Sequence, residues 1–422
     1  MAPVAQRVRG TQDLLPADRP YWERMEGAAY DSAVRAGYGR IETPIFETTD
    51  LFVRSAGEGS DVVSKEMYTF SDRGSRSLTL RPEGTAPIVR AYFDGGLDQE
   101  PQPVRVYYLG PFFRYDRPQA GRFRQFHQFG IEAIGEAHPL LDVEVIQVGW
   151  AWFQQLGIED LTLKLNSIGD EVCRPAYREV LRDYYRPHLA GLSEESRLRF
   201  EKNPLRLFDS KDPADQPAKE DAPRIVDHLC APCAEAFQLV QEGLQAEAIP
   251  FELDPTLVRG LDYYTRTVFE YQHGSLSGAQ NALGGGGRYD GLAAELGYRA
   301  TPGIGFALGL ERTMLILKQL QLAPQTPDAY VLVLQQADQS YAVRLASRLR
   351  SGGLQVVLDP GEARLDARLR KAARRGARIA VIIGPDERAR GEAVIRDMRS
   401  KTQETVLEGD VPSAVARTLG VN

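Results

Sequence analysis

The sequence predicts an α+β domain built on an antiparallel sheet, interrupted by a helical insertion and followed by a small α/β domain. Three observations predict this class. Amphipathic helix alternates with apolar, β-rich runs in the first third of the chain. A charge-rich stretch of helical period then occupies about residues 171–250, and a βαβαβ pattern begins at about residue 328. We therefore predict a discontinuous sheet domain (1–170 and 251–322), an insertion (171–250) and an α/β domain (328–422).

The first part of the sheet domain combines a helix with a pair of strands. Apolar spacing predicts an amphipathic helix over about residues 19–36. The runs "VRVYYLGPFFRY" and "FRQFHQFGIEAIG" are rich in aromatic and β-branched residues, which favour strands. Because the two runs are close in the chain, we expect an antiparallel hairpin.

The insertion begins near residue 171, where "EVCRPAYREVLRDYYRPHLAGLSEESRLRF" is charged, helical in period and broken by prolines. Strand-type sequence resumes after residue 250. The proline-bearing stretch "APQTPD", residues 323–328, is typical of a linker. Beyond it, "AYVLVLQ", "LQVVLD" and "RIAVIIG" alternate with helical patterns and predict a largely parallel sheet.

Composition places the chain among globular proteins of a reducing compartment. Hydrophobic residues make up 43% and charged residues 26%, and no apolar run is long enough to cross a bilayer. With no signal-like amino terminus, we expect a cytoplasmic protein without a membrane partner. The cysteines Cys173, Cys230 and Cys233 cannot all pair with one another. A net charge of −7 argues against general nucleic-acid affinity but leaves room for a local basic surface.

The stretch "LVRGLDYYTRTVFEY", residues 257–271, has the composition of a strand but carries unexpected polar residues. Arg259, Asp262 and Arg266 interrupt it. If the segment is extended, the adjacent rings of Tyr263 and Tyr264 point to opposite faces. An arginine, an acid and a tyrosine hydroxyl are unexpected on a buried strand and need a physical reason.

Two further stretches carry polar residues at alternate positions. In "TLRPEGTAP", residues 79–87, Arg81, Glu83 and Thr85 share one face if the chain is extended. A surface turn with an exposed acid is the alternative. In the hairpin over residues 110–135, a cationic loop precedes a returning strand on which polar residues and a glycine alternate. The alternative interpretation of this stretch is a solvated basic hairpin without a binding role.

The glycine-rich stretch "ALGGGGRYDGL", residues 282–292, lacks the lysine and hydroxyl residue of a phosphate-cradling P-loop. Glycines in a strand more often allow close approach by another backbone or a ligand, and we expect that here. In "GIGFALGLERTML", residues 303–315, small residues run into a helix that has Arg312 near its start.

Together these stretches resemble class II aminoacyl-tRNA synthetases, and specifically the histidyl-tRNA synthetase family. "IETPIFE", with Pro44, is similar to the dimer-forming first motif of the class, "FFRYDRPQAGRFRQF" to the second and "GFALGLERT" to the third. "RGLDYYT" and "GGRYDGL" are similar to stretches peculiar to the histidine enzymes, and "RGTQDLLP" and "NPLRLFDSKDP" match too.

The resemblance implies a function. Members of the family join L-histidine to ATP as an adenylate, release pyrophosphate, and transfer histidine to tRNA(His). It also implies Mg²⁺ accompanying ATP, a homodimer, a catalytic sheet domain and an anticodon-binding domain at 328–422. No structural metal is expected.

The resemblance also assigns roles to residues. A carboxylate and a phosphate about 4 Å apart repel by about 4 kcal/mol at an effective dielectric near 20, so arginines are required there. By resemblance, Arg259 bridges the histidine carboxylate and the α-phosphate, Arg114 clamps the α-phosphate and Arg312 holds the γ-phosphate. The implied histidine ligands are Glu83, Thr85 and Gln128 for the amino group, and Glu132 and Tyr264, with Tyr263 beside them, for the imidazole.

One position departs from the family pattern. The second motif of the class carries glutamate near the adenine, and here Asp116 stands in its place. Its shorter side chain reaches the base through water or with a small shift of the base. The neighbouring loop residues Arg117, Gln119 and Arg122 resemble those that meet the tRNA acceptor end.

Cys230 and Cys233 have the spacing of a zinc-ligand pair, with His228 beside them and Cys173 distant in the chain. We expect these cysteines to pack in a core instead, because four ligands would have to converge.

A basic helix is expected over residues 363–378, with Leu365, Leu369 and Ala372 buried and Arg364, Arg368, Lys371 and Arg375 on another stripe. A solvated charged face is the ordinary interpretation of such a helix. The resemblance to an anticodon-binding domain implies instead a surface that contacts tRNA phosphates.

Two other functions compete with aminoacylation. A regulatory paralogue of the family, which serves ATP phosphoribosyltransferase, typically lacks the carboxy-terminal domain and the "RGLDYYT"-type residues, both of which this chain has. A binding protein for free histidine or nucleotide, without chemistry, is the second.

Overall fold

A computed structural model of the chain describes residues 6–56, 62–210, 212–276, 281–321, 326–361 and 363–420. The chain forms two compact units, Met1–Leu322 and Ala323–Asn422. Residues 323–325 of the predicted linker at 323–328 lie outside the described residues. In the part that is described, no helix combines the length and apolar character needed to cross a membrane.

The first unit contains eleven strands and ten helices among its described residues. The strands are β1 (Gly39–Arg40), β2 (Phe46–Thr48), β3 (Tyr68–Ser71), β4 (Ser77–Leu80), β5 (Val104–Phe113), β6 (Gln125–Ile134), β7 (Leu161–Ser167), β8 (Phe251–Leu253), β9 (Thr265–His273), β10 (Ala282–Arg288) and β11 (Gly303–Gly309). The helices are α1 (Arg19–Arg35), α2 (Thr49–Ala56), α3 (Thr85–Asp94), α4 (Leu140–Leu156), α5 (Cys173–Tyr185), α6 (Glu194–Lys202), α7 (Gln216–Glu220), α8 (Ala231–Ala246), α9 (Leu292–Glu295) and α10 (Leu310–Leu317).

Eight of these strands form one sheet in the order β1-β5-β6-β11-β10-β9-β7-β8. In this sheet order, every neighbouring pair from β5 to β7 is antiparallel. The short edge strand β1 pairs in parallel with β5, and β8 pairs in parallel with β7. The predicted hairpin is β5 and β6, and the predicted antiparallel sheet is confirmed. Strands β2, β4 and β3 form a separate three-stranded sheet.

Helix α4 fills the space behind the large sheet. Its sequence "LLDVEVIQVGWAWFQQL" is apolar on most sides because it packs between the sheet and helices α1 and α8. The indole N–H of Trp152 donates to the carbonyl of Met25, at 3.1 Å, and so joins α4 to α1. The helix ends at Gly157, whose φ of +76° suits glycine at a helix end.

The predicted insertion is helical, as its period indicates. Helix α5 and the short helices after it pack into a second core that they share with sheet-domain residues such as Tyr108 and Val268, and in it Tyr177, Leu181 and Tyr185 are fully buried. Helix α8 behaves differently, because Phe237, Val240 and Leu244 pack into the core behind the large sheet. The last helix of the 171–250 segment is thus part of the sheet domain's packing, and the predicted domain boundaries stay predictions.

The second unit is an α/β domain. It contains β12 (Ala329–Val333), α11 (Gln339–Ser351), β13 (Val356–Asp359), α12 (Leu365–Arg374), β14 (Ile379–Ile383), α13 (Pro385–Ala389), β15 (Glu392–Asp397), β16 (Gln403–Leu407) and α14 (Val411–Leu419). The sheet order is β13-β12-β14-β15-β16, with the first three strands parallel and the last two antiparallel. The central strands β12 and β14 are fully buried, which accounts for their unbroken apolar sequence.

One prediction about the basic helix is wrong. Arg368 is buried, with its side chain 4% exposed, rather than on the exposed stripe of α12. Its guanidinium pairs with Asp359 at 3.0 Å and donates to the carbonyl of Val333 at 2.7 Å. The buried Asp359 carboxylate at the end of β13 and the Val333 carbonyl at the end of β12 offer acceptors that hold this arginine inside.

Candidate active site

A cavity of about 1240 Å³ opens in the first unit, above the central strands of the large sheet. Residues that the sequence placed in different stretches of the chain line it together: Glu83, Thr85, Arg114, Asp116, Arg122, Gln128, Arg259, Tyr263, Tyr264 and Arg312. The predicted residues Glu132, Arg117 and Gln119 are not in the lining. The cavity therefore gathers most, but not all, of the predicted site.

The prediction of a continuous strand over residues 257–271 is wrong for its first half, because β9 begins at Thr265. Before it the chain forms a loop, held by a hydrogen bond from the Asn166 side chain to the Leu257 carbonyl at 3.0 Å. The rings of Tyr263 and Tyr264 lie together, with centroids 4.7 Å apart, instead of on opposite faces. Both are buried beside the cavity, so one loop supplies two aromatic walls.

Arg259 projects from this loop toward the middle of β9 and β10, where it meets Glu270 and Gly285. Its Nη1 lies 2.7 Å from Oε2 of Glu270, and its buried Nε has no hydrogen-bond partner among the described residues. Gly285 lies beside it, and a Cβ there would be 3.1 Å from Nη1 and 2.3 Å from the Phe269 carbonyl oxygen. The glycine-rich strand thus permits close approach of a neighbouring backbone, as predicted.

Two more arginines face the cavity from other elements. Arg114 follows β5 and is anchored by its Nε, which donates to the Pro82 carbonyl at 2.8 Å. Arg312, in the first turn of α10, donates to the Ala282 carbonyl. Burial lowers the pKa of Arg312, and the nearby charge of Arg122 lowers it further. Each anchor leaves part of a guanidinium directed at the cavity, which makes the site suited to anions.

Residues 81–85 do not continue as a strand, so the predicted shared face is wrong. Strand β4 ends at Leu80, and Thr85 begins α3. Glu83 turns back to accept from the backbone N–H groups of Thr85, at 2.6 Å, and Ala86, at 3.0 Å, which caps the helix. Arg81 points elsewhere and donates to the carbonyls of Thr43 and Pro111. Only Glu83 and Thr85 of this set line the cavity.

Glu132 lies under the cavity floor and is 1% exposed. Its two oxygens accept from Thr85 Oγ1, at 2.8 Å, and Tyr289 Oη, at 2.6 Å. Burial raises the pKa of Glu132 to about 8. The space for this carboxylate comes from Gly305 on β11, where a Cβ would lie 1.8 Å from Glu132 Oε2. Tyr289 is a supporting residue that sequence reasoning missed, although it stands in the quoted stretch "GGRYDGL".

Three buried polar atoms around the cavity lack a hydrogen-bond partner in the described chain. They are Tyr108 Oη, Gln128 Oε1 and Arg259 Nε. Buried polar groups are nearly always satisfied, so this concentration indicates a polar ligand. Sequence reasoning also missed Tyr108. The glycines at positions 84 and 130 are the sequence feature that accompanies Tyr108. A Cβ on Gly84 or Gly130 would lie within 2.7 Å of the Tyr108 ring.

The loop between β5 and β6 is a tight, exposed turn. Gln119 and Arg122 exchange backbone hydrogen bonds, at 3.2 and 2.9 Å. The Asp116 carboxylate pairs with Arg122 and accepts from the Arg117 N–H at 2.6 Å, so it orders the loop as well as lining the cavity. Arg117 and Gln119 are exposed beside the cavity entrance rather than inside it.

This geometry agrees with what similarity to known proteins shows. The model of the family described as histidyl-tRNA synthetase matches residues 10–182 and 205–313, and that of the anticodon binding domain matches 328–418. The chain belongs to the histidyl-tRNA synthetase family. It is 49% identical over 404 residues to the histidine–tRNA ligase of Dehalococcoides mccartyi, covering 95% of this chain and 96% of the relative.

Other members of the histidyl-tRNA synthetase family extend the likeness. The histidine–tRNA ligase of Moorella thermoacetica is 50% identical over 406 residues, which is 96% of each chain. Among solved structures, apo S. aureus histidyl-tRNA synthetase matches with a TM-score of 0.82 and 35% identity, over 98% of this chain and 100% of that one. The predicted class II type of fold and the predicted family are confirmed.

Proposed function

We propose that this chain is a histidine–tRNA ligase, which joins L-histidine to tRNA(His) through a histidyl-adenylate and releases AMP and pyrophosphate. The observation that carries the proposal is one cavity whose lining includes Arg114, Arg259 and Arg312 from three separate elements, together with buried polar atoms that have no hydrogen-bond partner among the described residues.

In the first step, a carboxylate oxygen of histidine attacks the α-phosphorus of ATP, the new O–P bond forms, and the bond to pyrophosphate breaks. The approach brings two anions together, and charge grows on the α-phosphate in the transition state. Arg259 is proposed to bridge the carboxylate and the α-phosphate, Arg114 to clamp the α-phosphate and Arg312 to hold the γ-phosphate. Their fixed guanidiniums stabilise that charge without reorganisation.

The histidine pocket is proposed to lie between the α3 terminus and the Tyr263–Tyr264 loop. Glu83, Thr85 and Gln128 are assigned to the ammonium group, and the unpartnered Gln128 Oε1 supports that role. Tyr264 and the buried Glu132 are assigned to the imidazole, with Tyr263 beside them. A site of buried polar groups rejects an amino acid without the ring by roughly 10⁴–10⁵-fold, because those groups would be left unpaired.

In the second step, a ribose hydroxyl at the 3′ end of tRNA attacks the histidyl carbonyl and AMP departs. Asp116 is proposed to contact adenine. The loop residues Arg117, Gln119 and Arg122 are proposed to meet the acceptor end. Arg117 and Gln119 are exposed and Arg122 lines the cavity, which supports this. The second unit is proposed to bind the anticodon.

Mg²⁺ is proposed to enter with ATP, where it neutralises phosphate charge. Carboxylate oxygens suit this ion, and Glu270, next to Arg259 in the lining, is the residue we assign to it. A cytoplasmic location remains a prediction.

The chain is also proposed to act as a homodimer through the region of Pro44. The neighbouring side chains of Ile45, Phe46 and Phe70 are apolar and exposed, and such clusters mark contact surfaces. Sedimentation as a monomer at micromolar concentration would argue against the dimer.

The test of the function is exchange of labelled pyrophosphate into ATP, assayed with each of the twenty amino acids. We expect exchange with histidine alone, followed by charging of tRNA(His). A regulatory paralogue or a binding protein would give no exchange with any amino acid, and exchange with a different amino acid would refute the histidine assignment.

A further inference from the structure

Four potential metal ligands converge outside the cavity. The carboxylate of Asp170 and the thiols of Cys173, Cys230 and Cys233 place their ligand atoms within 4.8 Å of one another. None of the four lines the cavity described above. Cys173 and Cys233 are buried, and Asp170 and Cys230 are half-buried.

The cluster is built from two pairs with the same spacing. Asp170 lies in the loop after β7 and Cys173 begins α5, whereas Cys230 immediately precedes α8 and Cys233 lies in its first turn. Each pair thus has two residues between its ligands and stands at the start of a helix. Paired ligands of this spacing, brought together from two distant segments, are typical of structural zinc sites.

The loop is shaped for close contact between these groups. The Asp170 N–H points at Cys173 Sγ, at 3.3 Å, and the Cys173 N–H donates to Asp170 Oδ1, also at 3.3 Å. Gly169 precedes them with a φ of +64°, and a Cβ there would lie 2.6 Å from Cys173 Sγ. The turn therefore requires glycine, for both its conformation and the space beside the sulfur.

The distances between the ligand atoms suit tetrahedral coordination of one metal ion. Asp170 Oδ1 lies 3.4 Å from Cys173 Sγ and 3.8 Å from Cys230 Sγ. With zinc at about 2.3 Å from sulfur and about 2.0 Å from oxygen, ligand atoms stand about 3.5–3.8 Å apart. Closing the widest pair, at most 4.8 Å, needs about 1 Å of side-chain movement.

A cation also faces the cluster. Three thiolates and a carboxylate around Zn²⁺ leave two excess negative charges, and Arg266 Nη2 lies 3.4 Å from Asp170 Oδ2. Such an outer partner orients a ligating carboxylate and offsets the charge. Packing of three thiols as an apolar core does not explain why a carboxylate touches two of them.

We propose that Asp170, Cys173, Cys230 and Cys233 bind a structural zinc ion. The ion would tie the starts of α5 and α8 to the end of β7. With four protein ligands the site is closed, so the zinc serves the fold and takes no part in the chemistry at the cavity. His228, the neighbour suggested by the sequence, packs its ring on Tyr177, with centroids 5.5 Å apart, and is not in the cluster. This proposal differs from the expectation, drawn from the sequence, that the cysteines pack in a core without a metal.

The test is zinc content of the full chain, purified under reductant with zinc in the medium and dialysed before elemental analysis. We expect one zinc per chain in the wild type and in the control variant His228→Ala, and background zinc in the double variant Cys230→Ser with Cys233→Ser. Wild type with only background zinc, or a double variant with full zinc, would overturn the proposal.

A spectroscopic measurement covers the case in which the double variant fails to fold. Replacing zinc with Co²⁺ in the wild type should produce intense visible bands of tetrahedral cobalt and a thiolate charge-transfer band in the ultraviolet. Their absence, with all three cysteines freely reactive toward a thiol reagent, would overturn the proposal, as would a Cys230–Cys233 disulfide in the reduced preparation. The result is independent of aminoacylation, so it stands or falls separately from the proposed function.

Discussion

The orientation of the side chains at this site depends on the protein groups that anchor them as well as on the cavity that they face. Arg259 illustrates this, because Glu270 anchors one end of its guanidinium while the buried Nε has no described partner. Its position is therefore set before any substrate arrives, and such preorganisation is what makes a charge effective in a transition state.

Replacing Arg259 tests its assigned role. In Arg259→Ala, adenylate formation should fall by about 10³-fold or more, with histidine binding weakened but measurable, since the largest loss is in the transition state. The matched control is Arg105→Ala, which breaks the Arg105–Glu144 pair outside the cavity. Pyrophosphate exchange measures both, and near-normal rates in Arg259→Ala would refute the role.

Replacing a residue assigned to the imidazole should change the KM for histidine and leave the KM for ATP nearly unchanged. Tyr264→Phe or Glu132→Ala should raise the KM for histidine roughly 5- to 150-fold, because an unpaired buried group costs about 1–3 kcal/mol, while the KM for ATP changes little. Tyr271→Phe is the control, since that hydroxyl bonds the Ile146 carbonyl away from the cavity. Equal effects on both substrates would mean that the histidine pocket is misplaced.

Glu132 also predicts a pH dependence of stability. Burial raises its pKa from 4.5 to about 8, so in this window the folded chain holds a proton that the unfolded chain has lost. The free energy of unfolding should therefore fall with rising pH, by up to about 1.4 kcal/mol per pH unit relative to Glu132→Gln. Denaturant titrations of both proteins across this range measure it, and parallel curves would contradict it.

At the scale of elements, strand β10 depends on its glycines. A Cβ on Gly286 would lie 1.9 Å from the Gly305 carbonyl oxygen and 2.7 Å from the Phe306 Cα, both in the backbone of the neighbouring strand β11. Neither atom can turn aside as a side chain could. The glycine-rich sequence is thus a packing requirement of the sheet beneath the cavity.

Gly286→Ala should consequently lower the free energy of unfolding by about 3 kcal/mol, at the upper end of overpacking effects. Gly291→Ala is the matched control, because nothing lies within 4 Å of a Cβ there. Denaturant unfolding of the two variants gives the comparison. A Gly286→Ala protein as stable as the control would show that the strands can separate without cost.

At the scale of the whole molecule, the chain divides into two units that each bury their own core. All residues assigned to adenylation precede Thr313 and lie in the first unit. The second unit retains exposed basic residues on and beside α12, namely Arg364, Arg370, Lys371, Arg374, Arg375 and Arg378, even with Arg368 buried. A concentrated basic surface suits contact with tRNA phosphates.

Deleting the chain from Gln325 onward should therefore spare pyrophosphate exchange and cripple charging of tRNA. The first unit keeps its cavity and core, while the proposed anticodon contacts are lost. Exchange in the truncated protein is the internal control for folding, and aminoacylation of tRNA(His) is the readout. Undiminished charging would show that the second unit serves another purpose.

Local sequence patterns were sufficient to predict the parts of the molecule that depend on backbone geometry. The alternation of Gln128, Gly130 and Glu132 on β6, the amphipathic α1 and the buried parallel strands of the second unit all follow from the period of strand or helix. The family and its fold could be read from the order of motifs, since each motif is contiguous in sequence.

Only the tertiary structure decided which side chains meet. Tyr289 bonds Glu132 across 157 positions, Arg368 turns inward to Asp359, and Asp170 joins cysteines about sixty positions away. In each case a polar group is buried, and burial without a hydrogen bond would cost free energy. The group therefore bonds to the partner that the fold brings near it. Sequence period sets the direction in which a side chain leaves its element, but packing between distant elements determines the partner it finds.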